Sequence, residues 1–134
     1  MRLEQFNAGH FPMIKEWWKG HDHPDLPIEI MPDIGVLSYG EDGKPLAFGV
    51  LYAANSASIG WIEWITTNPE CTPFESYKGV STVLDFLCKE AKDVGISWVL
   101  CTCRQKSLGR LLIKNGFAQT DENVSHFLKL ITTK

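Results

Sequence analysis

The spacing of apolar positions changes several times along the chain, and each change marks an element. Residues 2–6 read as a short opening strand. Phe11, Ile14, Trp17 and Trp18 then fall at helical spacing, so residues 10–19 read as an amphipathic helix stopped by Gly20. Residues 21–32 carry Pro24, Pro27 and Pro32, which forbid a regular helix. They form a long loop, of a kind that in compact domains is often functional. Residues 34–39 and 46–53 are apolar runs joined through Gly40-Glu41-Asp42-Gly43-Lys44, whose Asp-Gly step predicts a hairpin. A turn at 55–58 leads into residues 59–67, rich in Trp, Ile and Thr as strands are, and this run ends at Asn68-Pro69.

Residues 69–78 read as a loop with two prolines. After Gly79 the period becomes helical, and Val80, Val83, Leu84, Leu87, Cys88 and Ala91 form one stripe ending near Gly95. Residues 96–103 are nearly continuous in apolar side chains, as in a central strand covered on both faces. Residues 107–115 read as a further helix with Leu108, Leu111 and Leu112 inward, and Gly116 fits a left-handed stop. Residues 117–120 and 125–131 are expected to close as a hairpin around Asp121-Glu122-Asn123. The order β-α-β-β-β-α-β-α-β-β predicts an α/β (α+β) fold, a mixed and mostly antiparallel sheet flanked by helices.

Composition narrows the class. A chain of 134 residues suits one domain with one core, expected to span 1–134. Hydrophobic residues at 44% and charged residues at 22% are those of a globular protein. A net charge of −3 argues against a nucleic-acid partner, whose binding rests on clustered Lys and Arg. The longest uncharged stretch, 45–62, has Asn55, Ser56 and Ser58 in its middle, so two strands and a turn explain it better than a membrane span. The N-terminus has no signal-peptide stretch. The expectation is a cytoplasmic monomer or homodimer without a membrane partner. Cys71, Cys88, Cys101 and Cys103 permit disulfides by their even count, and Cys101 and Cys103 would share a strand face. A metal reading needs distant partners such as His21 and His23, so reduced buried thiols and no metal are expected.

Two local motifs, set in this order of elements, carry a resemblance. The stretch Ser76-Tyr77-Lys78-Gly79-Val80-Ser81, followed by Thr82, is similar to the loop signature Arg/Gln-x-x-Gly-x-Gly/Ala of GNAT acetyltransferases. Gly79 matches, Ser81 replaces the last glycine and Ser76 replaces the Arg or Gln. Leu111 to Phe117 supplies the family's Gly-Phe ending, and Asn68-Pro69 sits where members often have a proline after the fourth strand. The chain resembles a compact GNAT acetyltransferase over nearly its full length, with an insertion in residues 69–79.

The resemblance implies acetyl-CoA as co-substrate. It implies that the pyrophosphate sits on the backbone amides of Ser76, Tyr77, Lys78, Gly79, Val80, Ser81 and Thr82 at a helix start. Such a start offers unpaired N–H groups and partial positive charge. A plain capped helix start is the alternative reading of the same residues. It further implies that Ile65, Thr66 and Thr67 pair with the pantetheine arm like an added strand. The family's common Asn near the last helix falls at Gln105.

Acetyl transfer to an amine needs a base, stabilisation of the thioester oxygen and, in many enzymes, a proton for the leaving thiolate. Glu63, a carboxylate inside Trp61-Ile62-Glu63-Trp64-Ile65, is the candidate base; a solvent-side or paired structural carboxylate is its alternative. Strand alternation predicts Glu63 on one face with Trp61 and Ile65, and Ile62 and Trp64 on the other. The family's general-acid Tyr falls on Leu112, which cannot donate a proton. Either the thiolate leaves unaided, or Cys103 or Tyr77 helps, or the domain binds acyl-CoA without efficient catalysis. Asp22, Asp25 and Glu29, with His21 and His23, are either an acceptor site for a cationic amine or a solvated acidic loop. Trp17 and Trp18 are adjacent and cannot share a helical face, so one is expected to line the groove unless both pack in the core. An N-acetyltransferase acting on a small-molecule or protein amine is the leading reading. A catalytically weak acyl-CoA or partner-binding domain, and a purely structural or inhibitory protein, stand behind it.

Overall fold

The computed structural model describes residues 1–131. It divides into two compact units, Met1–Cys103 and the residues from Arg104 onward.

The first unit holds a five-stranded sheet: β1 (Arg2–Gln5), β2 (Ile34–Tyr39), β3 (Pro45–Ala53), β4 (Ile59–Thr67) and β5 (Trp98–Cys101), side by side in that order. The first four strands pair antiparallel and β4 pairs parallel with β5. The β2–β3 hairpin turns where Asp42-Gly43 predicts it: Gly43 has φ +85°, which costs a residue without Cβ nothing. Gly43 N–H donates to Gly40 O, and Gly40 N–H to Lys44 O.

Two helices cover opposite faces. The helix α1 (Phe11–Gly20) packs Ile14, Trp17 and Trp18 against Leu37, Tyr39, Phe48 and Val50. Both tryptophans are therefore core residues, and neither lines a groove. A buried polar pair locks this face, since Trp18 Nε1–H donates to Thr66 Oγ1 at 3.1 Å. The other face carries α2 (Pro73–Asp93), which buries Gly79, Val80, Val83, Leu84, Leu87 and Ala91. Ser38 Oγ donates to Gly79 O across this contact at 3.0 Å. Burial of each such aliphatic side chain contributes about 1.5–3 kcal/mol. The loop after α1 is irregular as expected, apart from a 3-10 turn at Ile28–Ile30.

One expected boundary moves. α2 starts at Pro73, not after Gly79, so residues 76–82 belong to the helix body rather than to a loop. Thr72 is the N-cap and Pro73 occupies the first turn, where a missing N–H does no harm.

In the second unit, α3 (Lys106–Lys114) buries Leu111 and Leu112 and ends at Gly116, whose φ is +91°. Phe117 N–H closes the end by donating to Leu112 O at 3.0 Å. The hairpin expected from residues 117–120 and 125–131 does not form. Those residues have no strand ladder among the described residues, and Phe127, Leu128, Leu130 and Ile131 are exposed.

Candidate active site

The parallel ladder between β4 and β5 runs from Ile59–Trp98 to Ile62–Cys101 and stops. β5 ends there, whereas β4 continues for five residues to Thr67, still paired on its other side with β3. The two strands thus open as a fork, and among the described residues the β4–β5 ladder does not extend past Ile62.

Glu63 stands at the crotch of that fork. Its neighbour Ile62 is the last residue paired with β5, and the residue after Cys101, Thr102, donates its hydroxyl to Glu63 Oε1 at 2.9 Å. Glu63 is half-buried, so one oxygen is oriented from β5 while the residue keeps access to solvent.

A bulge then displaces the rest of β4. Val50 opposes Glu63 and Phe48 opposes Thr66, so three residue steps on β4 match two on β3. Trp64 absorbs the extra residue at φ +58°, a left-handed conformation that costs a residue with a side chain about 1–2 kcal/mol. Its indole N–H donates to Tyr52 Oη at 2.8 Å, and Tyr52 donates in turn to Ile30 O at 2.7 Å. Burial pushes the Tyr52 hydroxyl above its ordinary range, while the indole bond and the Glu63 charge act in opposite directions. The bulge overturns the expected alternation. Trp64 joins Glu63 on the α1 face, among the side chains packed on that core, and Ile65 turns to the α2 face beside Gly49, Val83 and Leu87. Trp61 is on the Glu63 side, as expected, because it opposes Tyr52.

The positions expected to meet a pantetheine arm are therefore all on the open strand, but not all are idle. Thr66 Oγ1 accepts from Trp18 and donates to Trp64 O at 2.7 Å. Thr67 O lies 2.8 Å from His21 Nε2, which must donate because a carbonyl only accepts. His21 thereby ties the proline-rich loop to the end of β4.

The residues expected as a phosphate-cradling loop are not a loop. Ser76, Tyr77, Lys78, Gly79, Val80, Ser81 and Thr82 lie inside α2, where backbone amides serve the helix ladder; Ser76 N–H, for one, donates to Thr72 O. Gly79 serves packing: a Cβ there would come within 2.7 Å of Leu46 Cβ. The true helix start is closed by its own side chains. Thr72 Oγ1 accepts Glu75 N–H at 3.2 Å, and Glu75 Oε1 accepts Thr72 N–H at 2.9 Å. Lys44 Nζ sits 3.1 Å from the same Glu75 oxygen. The Thr72 amide and then Lys44 hold the Glu75 carboxyl below its usual range, so it stays ionised.

Among the other candidates, Gln105 is the N-cap of α3 in the second unit, without a side-chain cap bond. Tyr77 and Cys103 are exposed, Tyr77 on α2 rather than in a loop. Leu112 is buried. The groove beside α1 is lined by Lys15, Glu16, Lys19, His23 and Asp25, and Lys15 lies 3.7 Å from Asp25. It is mixed in charge, not a carboxylate cluster. All four cysteines are free thiols. Burial, then the charge of Glu63, pushes the Cys101 thiol up to about 12, which makes it a poor nucleophile. Among the described residues no three of His, Cys, Asp and Glu gather as a metal site requires, and no helix is long and apolar enough to cross a membrane.

No known family profile and no curated protein matches the sequence. Solved structures do match. A protein of Agrobacterium tumefaciens described as an acetyltransferase is 15% identical over 96% of this chain and 100% of its own, with a TM-score of 0.68. Glucosamine-6-phosphate N-acetyltransferase from Arabidopsis thaliana is 15% identical over 96% of this chain and 98% of its own, with a TM-score of 0.67. N-acetylglutamate synthase from Neisseria gonorrhoeae, solved with coenzyme A and N-acetyl-glutamate, is 16% identical over 91% of this chain but 29% of its own, with a TM-score of 0.69. This likeness establishes that the chain has the GNAT acetyltransferase fold.

Proposed function

We propose that this chain, taken as one domain over residues 1–134, is an N-acetyltransferase that moves acetyl from acetyl-CoA directly to an amine. The observation that carries the reading is Glu63 at the crotch of the β4–β5 fork, half-buried and oriented by Thr102. A thioester arm laid along residues 63–67 as an added strand would bring its carbonyl carbon to that carboxylate. Glu63 accepts a proton from the ammonium form of the acceptor. The freed nitrogen attacks the thioester carbon, the C–N bond forms and the C–S bond breaks. The thiolate leaves without a tyrosine acid, since the sequence has Leu112 where the resemblance expects one, and takes up through solvent the second proton that the nitrogen loses as the amide forms. Trp61 and Leu100 are exposed and side by side one rung before the fork opens, and they suit the apolar part of an acceptor.

The closed start of α2 favours a second reading, a domain that holds acyl-CoA weakly and turns it over poorly. One experiment separates the two. The protein is melted with and without acetyl-CoA and assayed against a panel of amines and protein extracts for free thiol. Stabilisation with thiol release supports the transferase, and stabilisation without release supports the weak binder. A melting temperature indifferent to millimolar acetyl-CoA, with no release, rejects both.

A further inference from the structure

Resting on the reading of the fork as a thioester site, we infer that this chain recognises the donor by its acyl-pantetheine arm, and that the nucleotide diphosphate adds little. The substrate class is then S-acyl pantetheine, whether joined to a nucleotide in CoA or to a carrier protein.

The helix start nearest the end of β4 is already filled by the protein's own groups. Only residues 68–72 separate the last residue of β4 from α2. A pyrophosphate bound at a helix N-terminus needs several convergent amide donors and a positive field. Here Pro73 has no N–H, Glu75 N–H is taken by Thr72 Oγ1 and Ser76 N–H by Thr72 O. Phe74 N–H is the one first-turn amide without a protein partner among the described residues. The negative charge that complements the helix dipole is already present as the Glu75 carboxylate, fixed on Thr72 N–H and on Lys44. Lys44 is itself committed, donating to Glu75 and to Glu70 O at 3.2 Å. A diphosphate entering this place meets a carboxylate already paired with the neighbouring cation, not a cradle. The arm-binding edge of β4 is untouched by any of these bonds, so arm and nucleotide are recognised independently.

The test compares dissociation constants of CoA, pantetheine and a phosphopantetheinylated acyl carrier protein by calorimetry, on the parent and on Glu75→Gln. The substitution keeps a side-chain acceptor for Thr72 and removes the charge. The expectation is that CoA and pantetheine bind the parent within about tenfold of each other, and that Glu75→Gln tightens CoA alone, by about threefold to tenfold. The carrier-protein arm shows which source binds better. CoA more than about tenfold tighter than pantetheine on the parent would overturn the inference while leaving acetyl transfer standing, since a P-loop-like cradle is worth far more than that. Equal effects of Glu75→Gln on both ligands would also overturn it. Failure of all three ligands to bind sinks the thioester-site reading itself.

Discussion

Glu63 shows how much one side chain's role depends on its immediate neighbours. On a regular strand it would be an exposed carboxylate among tryptophans. Beside the last rung of the β4–β5 ladder it becomes an oriented acceptor, because Thr102 donates to one of its oxygens. Positioned proton transfer is worth roughly a hundredfold to ten-thousandfold in rate. Glu63→Gln keeps the shape and the Thr102 contact but loses the basicity. With a working acceptor, we expect kcat at neutral pH to fall by about that factor, with donor affinity nearly unchanged and partial recovery at higher pH as free amine accumulates. A variant that turns over like the parent across the pH range would make Glu63 a structural acceptor for Thr102.

At the scale of elements, most strands and both sheet-covering helices were legible, because their apolar periods are long and clean. Residues 34–39 and 59–67 fall where alternation and turn chemistry put them. Besides the hairpin expected at 117–120 and 125–131, which does not form, two features were not. The bulge at Trp64 leaves no mark in Trp-Ile-Glu-Trp-Ile, since either face can take a tryptophan; only the count against β3 reveals it. The start of α2 was legible in principle. Thr72-Pro73-Phe74-Glu75 is a capping box with proline in the first turn, a stronger signal than one glycine six residues on. Gly79 drew the boundary to itself although its small size serves the contact with β3. Gly79→Val must push Leu46 and Ala47 aside, because even its Cβ falls 2.7 Å from Leu46 Cβ and 3.3 Å from Ala47 Cβ. Overpacking of this kind costs about 1–3 kcal/mol, so the urea midpoint should drop accordingly. A midpoint equal to the parent's would mean that α2 is free to lift from the sheet and that the close packing is not required.

For the whole molecule, the groups that hold their protons more tightly than usual are thiols, phenols and Lys44, not carboxylates, and this sets the pH range in which the fold weakens. Cys101 is pushed up to about 12 from an ordinary 9.0, first by burial and then by the charge of Glu63. Cys71, Cys88, Tyr39 and Tyr52 are raised in the same direction, each with burial as its largest cause. A group that binds its proton more tightly when folded contributes stability that is complete below its unfolded pKa and is lost as pH rises towards its folded one. For Cys101 that window runs from about 9 to about 12, and within it one such group gives a slope of up to about 1.4 kcal/mol per pH unit. The unfolding free energy, taken from urea titrations at several pH values, should therefore be flat from neutrality to about pH 8.5 and fall beyond it. In Cys101→Ala the fall between about pH 9.5 and 11 should be shallower by up to that slope, since the remaining thiols and phenols still titrate. The variant should also lose some stability at neutral pH, because a half-buried sulfur is removed, and only the difference in slope bears on the argument. Identical slopes for the two proteins would show that Cys101 ionises as freely in the fold as out of it, and that the end of β5 beside Glu63 is open to water.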